Sequence, residues 1–130
     1  MGAVLRTAAA SGYDDVYLCG CADPFSAKSL RAGMSAQYVL NIFEGEREKI
    51  LDLLSCCQLV CADMSGENVF TADIAEKHAL VLGSEGGGVS SAARMRCEKT
   101  VSIPMKNNME SLNVAVSAGI LMYLMGKNNF

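Results

Sequence analysis

Three short stretches carry the residues that could do chemistry. In the first, the apolar run Ala79-Leu80-Val81-Leu82 feeds directly into Gly83-Ser84-Glu85-Gly86-Gly87-Gly88-Val89. Glycines in such a turn let the main chain approach a ligand or adopt positive φ. The turn lacks the Gly-Lys-Ser/Thr ending of a P-loop and the G-x-G-x-x-G spacing of a dinucleotide fingerprint, and Ser84 does not sit in a G-x-S-x-G elbow. On spacing alone, a tight turn with a solvated Glu85 is an equal alternative. The second stretch is Ile103-Pro104-Met105, followed by Ser111-Leu112-Asn113 at the start of an apolar helix, where Ser111 and Asn113 either cap free N–H groups or face a ligand. The third, Gly2-Ala3-Val4-Leu5-Arg6-Thr7-Ala8, sets an arginine on an otherwise apolar helix, a setting in which a lone Arg6 commonly packs its stem on neighbours at the surface.

The elements that would position these stretches alternate between strand-like and helix-like runs. A helix is expected from about Ala3 to Ser11, ended by Gly12, and a strand at Val16–Leu18. A second helix should start with Asp23 as N-cap and Pro24 at its first position and stop before Gly33. Tyr38–Phe43 reads as a strand, Glu46–Leu54 as an amphipathic helix, and Leu59–Ala62, Ala79–Leu82 and Val101–Ile103 as further strands, the last stopped by Pro104. A polar turn is expected at Ser65–Asn68. The final helix, about Ser111 to Met125, is apolar on nearly all sides and should be buried. This order implies βαβ units, a mostly parallel sheet flanked by helices, and a ligand pocket beyond the carboxyl ends of the strands, where the glycine turn and the segment after Pro104 both fall.

Composition agrees with one such domain. The 130 residues are 51% hydrophobic and 19% charged, enough apolar content for a core and too much for disorder. A net charge of −3 provides no overall positive field toward nucleic acid. Arg94, Arg96, Lys99 and Lys106 lie close in sequence and form either a local basic patch or ordinary solvated charges. The six cysteines sit mostly in apolar runs, with no C-x-x-C pair and His78 as the sole histidine, so reduced, core-packed thiols and no metal site are expected. The N-terminus lacks a secretory pattern, and the longest nearly unbroken apolar stretch, Val114–Met125, has 12 residues against the ~20 that span a bilayer. A cytoplasmic protein without a membrane segment is expected.

Taken together, the three stretches resemble the SpoU/TrmH family of RNA ribose 2′-O-methyltransferases, of the SPOUT class. Leu82-Gly83-Ser84-Glu85-Gly86-Gly87-Gly88 matches the family's L-G-x-E-G-x-G motif. Ile103-Pro104-Met105 and Ser111-Leu112-Asn113-Val114 through Ala118, Gly119 and Ile120 match its I-P-M and S-L-N-V-x-x-A-x-G-I motif. Gly2 to Ala8 supplies the latter part of N-x-G-x-x-x-R-T-A; the motif's asparagine and the strand that usually leads into it are not in the sequence. Asp23-Pro24-Phe25-Ser26, Lys28 and Arg31 are also similar to the family's stretch after its next strand.

The resemblance implies one catalytic domain over residues 1–130 beginning inside the first motif, a C-terminal trefoil knot, homodimers, and S-adenosylmethionine held at the knot. It implies that the main chain of Leu82, Gly83, Gly86, Ile103, Pro104 and Met105, with Ser111 and Leu112, holds the adenosine and methionine parts, and that the loop after a strand ending at Ala62 joins this wall. Arg6 would be the catalytic arginine, clamping a phosphate and stabilising a developing alkoxide. Glu85 would orient it, while Ser111 and Asn113 would hydrogen-bond the ribose or the glycine turn. The RNA would be ribosomal or transfer RNA, with any separate RNA-binding domain in a longer protein. Two other readings remain open: a dimeric domain that binds S-adenosylmethionine without activity, and an unrelated nucleotide-binding α/β protein that uses the glycine turn for phosphate.

Overall fold

The computed structural model describes residues 1–84 and 87–130. In chain order the elements are α1 (Gly2–Ala10), β1 (Asp15–Leu18), α2 (Ala27–Gly33), β2 (Asn41–Glu44), α3 (Arg47–Leu53), β3 (Gln58–Asn68), β4 (His78–Val81), α4 (Ser91–Arg96), β5 (Lys99–Ser102) and α5 (Val114–Met125). Single 3₁₀ turns occupy Ala36–Tyr38, Leu54–Cys56 and Lys127–Asn129. Every strand pairing among the described residues is parallel. Among the described residues the strands do not form one sheet: β1 pairs with β2, and a second sheet has the order β4-β3-β5.

Helices cover both faces of the larger sheet. Successive residues of β4 point to opposite sides: Leu80 packs with Leu5, Ala8, Ala118 and Met122 of α1 and α5, while Ala79 and Val81 pack with Leu51, Leu59, Cys61 and Ala93 on the other side. A third cluster joins Val60 and Val101 to Leu121 and Met125. Val60, Cys61, Val101 and Leu121 are fully buried, and the near-continuous apolar runs of β3 and β5 are what a strand covered on both faces requires.

Several expected boundaries moved for local reasons. The second helix begins at Ala27, because Ser26 is the N-cap and accepts the Ser29 N–H at 3.2 Å. Asp23 accepts the Phe25 N–H at 2.9 Å in a turn that precedes the helix, and Pro24 is buried, its carbonyl taking a 3.0 Å hydrogen bond from Gln37 Nε2. Tyr38 closes a 3₁₀ turn, so the following strand starts later, at Asn41. The expected turn at Ser65–Asn68 lies within β3: Ala62 and Glu67 both pair with Val101, so residues 63–66 loop out between two paired segments.

Two further expectations are corrected at the end of the chain. The last helix starts at Val114, because Asn113 is its N-cap; Ser111 therefore lies ahead of the helix and not in its first turn. That helix is not buried all round, since Val116 and Tyr123 are about half exposed (52% and 45%). The cysteines divide: Cys61 is buried, Cys19, Cys57 and Cys97 are half-buried, and Cys21 and Cys56 are exposed, so burial does not hold for the whole set. Among the described residues no helix is long and apolar enough to cross a membrane, and no three His, Cys, Asp or Glu side chains gather as a metal-sized cluster.

Candidate functional site

Register brings one group of residues to the carboxyl end of the larger sheet. Val81, Cys61 and Thr100 stand level across β4, β3 and β5. The residues that follow, Leu82 after β4, Ala62 of β3 and its partner Val101 of β5, therefore lie side by side, with Ala62 in the middle. This is the end of the sheet at which the loops of parallel sheets gather their ligands. Ala62 and Ile103 are half-buried against the Val60–Leu121 cluster. Met105 is half-buried, whereas Pro104, Ser111 and Leu112 are exposed.

The glycine turn is held by main chain. The Gly88 N–H donates to the Ser84 carbonyl at 3.0 Å, and Gly88 has φ +65°. A Cβ on Gly83 would overlap the Gly88 carbonyl and the Val89 nitrogen, so only glycine permits this approach. Glu85 and Gly86 lie outside the described residues.

Three motif segments converge on one cluster. Leu5 and Ala8 come from the Gly2–Ala8 segment, Leu80 and Leu82 from the strand before the glycine turn, and Ala118 and Met122 from the last helix. Gly2 is buried, and a Cβ there would lie 2.5 Å from the Ser29 carbonyl oxygen, so the absence of a side chain lets α1 seat on α2. Arg6 is exposed on the outer face of α1, at the rim of a shallow hollow with Gly33, Met34 and Val39, and its guanidinium has no ion-pair partner among the described residues.

Asn113 is occupied in a structural task. Its side-chain oxygen accepts the N–H groups of Ala115 at 2.8 Å and Val116 at 3.4 Å. The cap and the expected ligand contact thus compete for the same oxygen, and the structure assigns it to the cap.

The basic run is not a free positive patch. Arg94 pairs with Asp63 at 2.6 Å, Arg96 with Asp52 at 2.8 Å and Glu48 at 3.7 Å, and Lys99 with Glu67 at 2.9 Å. Lys106, exposed in the loop after Pro104, has no ion-pair partner among the described residues. Hydrogen bonds from the Ser65 hydroxyl and N–H, and then the Arg94 charge, hold Asp63 below the usual carboxylate range. This Asp63–Ser65–Arg94 arrangement sits in the loop-out beside Ala62 and was not legible in sequence, since it joins positions separated by 31 residues. The same is true of Tyr13, whose hydroxyl meets His78 Nε2 at 2.7 Å across 65 residues and whose pKa burial raises to about 12.

An α/β domain of parallel strands, with small-residue loops at the carboxyl end of its sheet, defines the class. The SpoU rRNA Methylase family model matches residues 1–123, and the chain belongs to that family. Among similar proteins, the 23S rRNA (guanosine(2553)-2'-O)-methyltransferase RlmP of Bacillus subtilis is 32% identical over 127 residues, covering 95% of this chain and 51% of its own length. A 23S rRNA (guanosine-2'-O-)-methyltransferase RlmB from Haemophilus ducreyi is 30% identical, with 95% and 52% covered. Of solved structures, the SpoU methyltransferase AviRb of Streptomyces viridochromogenes in complex with AdoMet superposes with TM-score 0.90 at 29% identity, over 98% of this chain and 55% of that one. An AdoMet-bound rRNA methyltransferase from Sinorhizobium meliloti superposes with TM-score 0.92 at 25% identity, over 99% and 51%. The chain thus spans about half the length of the relatives it matches.

Proposed function

We propose that this chain is the S-adenosylmethionine-binding catalytic domain of an RNA ribose 2′-O-methyltransferase, acting on ribosomal or transfer RNA in the cytoplasm. The observation that carries the reading is the convergence of Leu5 and Ala8, of Leu80 and Leu82 just ahead of the glycine turn, and of Ala118 and Met122 on one core beside the carboxyl end of the sheet. The residues present suit such a ligand. The strand ends offer main-chain donors and acceptors with the small or apolar side chains Ala62, Leu82, Gly83 and Ile103, and the nearby Arg94 is already paired with Asp63. Main chain can read a purine edge, and small residues let it come close.

In this reading the main chain of Leu82, Gly83, Gly86 and Ile103–Met105, with Ser111, Leu112 and the loop after Ala62, holds the cofactor, inside a C-terminal trefoil knot. When bound, S-adenosylmethionine supplies an electrophilic methyl group. Arg6 stays protonated at any physiological pH, so it serves as a clamp for the target phosphate and as a donor to the developing alkoxide rather than as a base. Its exposure and lack of a partner among the described residues leave the guanidinium free for an incoming anion. Glu85 orients Arg6, Ser111 donates to the ribose, and Asn113 fixes the first turn of α5. A homodimer is supported by the exposed apolar line of Val116 and Tyr123 on α5, continued by the stacking of Tyr123 on Phe130 with ring centroids 5.4 Å apart.

The test is calorimetric titration of the purified chain with S-adenosylhomocysteine, with ATP as control. Binding of the homocysteine compound alone supports the reading. Binding of ATP in its place returns the glycine turn to a phosphate role, and no binding by a folded chain overturns the cofactor site. Methyl transfer to bulk RNA then separates an active enzyme from a domain that only binds the cofactor.

A further inference from the structure

Charge is distributed unevenly over this acidic chain. All 14 Asp and Glu residues lie in the segments 14–23 and 44–130, whereas residues 1–13 and 24–43 contain Arg6, Lys28 and Arg31 and no carboxylate side chain. The two acid-free segments pack on each other. Gly2 of α1 sits against the Ser29 carbonyl of α2, and Leu5 and Ala8 share a core cluster with Ala36 of the following 3₁₀ turn.

Arg6, Lys28 and Arg31 have no ion-pair partner among the described residues, unlike Arg94, Arg96 and Lys99. Helical spacing sets two of them outward: Ser29 and Gly33, one turn apart, are the buried line of α2, and Lys28 and Arg31, three apart, stand exposed on the other side. The carboxylate nearest in sequence, Asp23, is engaged by the Phe25 N–H at 2.9 Å.

Two aromatic rings belong to the same surface. Tyr38 is 72% exposed and Phe25 47%, with ring centroids 6.5 Å apart. Gln37, next to Tyr38, is buried, and its Nε2 donates to the carbonyl of Pro24, next to Phe25, at 3.0 Å and to that of Ser29 at 2.9 Å. One amide thus ties the two rings side by side. A buried amide beneath open rings inverts the usual order of burial, in which the apolar side chain goes inside. Met34 and Val39, also exposed, continue the apolar strip to the hollow at whose rim Arg6 stands.

Unpaired cations beside open rings are the combination that holds single-stranded nucleic acid, with phosphates on the cations and base faces on the rings. A duplex has its base faces stacked away, and a protein partner would have to bring a carboxylate to each of three cations. A phosphodiester chain brings one charge with every nucleotide.

We infer that this face is a docking platform for a single-stranded segment of the RNA substrate. Bases stack on Tyr38 and Phe25, phosphates sit on Lys28 and Arg31, and the strand runs along Met34 and Val39 toward the Arg6 guanidinium. The inference deepens the methyltransferase reading and rests on it, because the strand is aimed at Arg6, but the platform is tested without methyl transfer.

The experiment is fluorescence anisotropy with a labelled cytidine–adenosine repeat RNA of about 12 nucleotides, a length within single-strand site sizes, at several salt concentrations. Tyr38→Ala should weaken binding roughly tenfold, the effect of one lost stacking contact, and Tyr38→Trp should restore it. Lys28→Ala combined with Arg31→Ala should lower the slope of log affinity against log salt by about 1.4, since each phosphate contact on a single strand contributes about 0.7. Tyr38→Ala should leave that slope unchanged. The three side chains are exposed, so the variants should fold and bind S-adenosylhomocysteine as wild type does. A chain that binds S-adenosylhomocysteine but binds no RNA, or whose RNA affinity ignores these substitutions, overturns the platform and leaves the cofactor reading standing. RNA binding that depends on these residues in a chain that does not bind S-adenosylhomocysteine keeps the platform and fails the cofactor reading. Loss of self-association in Tyr38→Ala by sedimentation, with RNA affinity unchanged, would assign the surface to a second copy and overturn the proposal.

Discussion

Gly119 of the last helix lies directly against Thr7 of the first: a Cβ on Gly119 would meet Thr7 Cγ2 at 3.5 Å. This is ordinary van der Waals contact, so the close packing of α1 on α5 does not itself demand glycine. Gly119→Ala is expected to raise stability by about 0.5–1 kcal/mol, the usual gain from removing glycine's chain entropy inside a helix. Urea denaturation checks it; a loss of stability would mean that the two helices approach more closely in solution.

Gly83→Ala should behave oppositely. Its Cβ has no room beside the Gly88 carbonyl, which belongs to main chain and cannot rotate away. The turn must open, and S-adenosylhomocysteine affinity should fall by more than tenfold, about 1.4 kcal/mol. Calorimetry on the folded variant measures it, and unchanged affinity would remove the glycine turn from the cofactor wall.

Arg6→Ala should abolish methyl transfer to RNA while leaving S-adenosylhomocysteine affinity within a few-fold. The exposed side chain supports no core contact, so the variant should fold normally. Paired activity and calorimetric measurements decide; a large loss of affinity would place Arg6 in the cofactor site.

For Asn113, stability and activity can be separated. Asn113→Ala removes the acceptor for the Ala115 and Val116 N–H groups and should cost about 1 kcal/mol, whereas Asn113→Asp keeps the cap. If the aspartate variant restores both stability and methyl transfer, capping accounts for the residue. Restored stability without activity would assign Asn113 a ligand contact as well.

Asp63 should give the domain an acid-sensitive increment of stability. Its folded pKa lies below its unfolded one, chiefly because Ser65 donates to the charged form. The contribution is therefore present above the ordinary carboxylate pKa of about 3.9 and is lost as pH falls through the folded value. Wild type should be slightly more stable than Asp63→Asn at neutral pH, and the gap should close on acidification. A gap independent of pH would show that charge on Asp63 is not its source.

Much of the fold was legible because short apolar runs separated by polar and glycine signals report local preference. The four short strands and the apolar core of β3 fall near their expected places, as do α1 and α3. The misreadings have identifiable causes. Asp23-Pro24 looks like a helix start, but Ser26 offers a cap with a better-placed hydroxyl. α4 went unread because Ser91–Arg96 is too short to display a periodicity. The extension of β3 past a loop-out depends on pairing with Val101, a partner far along the chain.

The candidate site was legible where glycine or proline restricts the main chain, as at Gly83 and Pro104, since those restrictions are written in residue type. Charge roles were not. Arg94, Arg96 and Lys99 looked like a basic patch because like charges cluster in sequence, and only folding brought Asp63, Asp52 and Glu67 against them. By itself, the sequence determined the class of fold, the family motifs and the glycine turn, all properties of contiguous residues. Tertiary structure alone decided that three motifs share one core, that Asn113 caps a helix, and that Phe25 and Tyr38 stand side by side at the surface, because each depends on the juxtaposition of segments that local preference cannot specify.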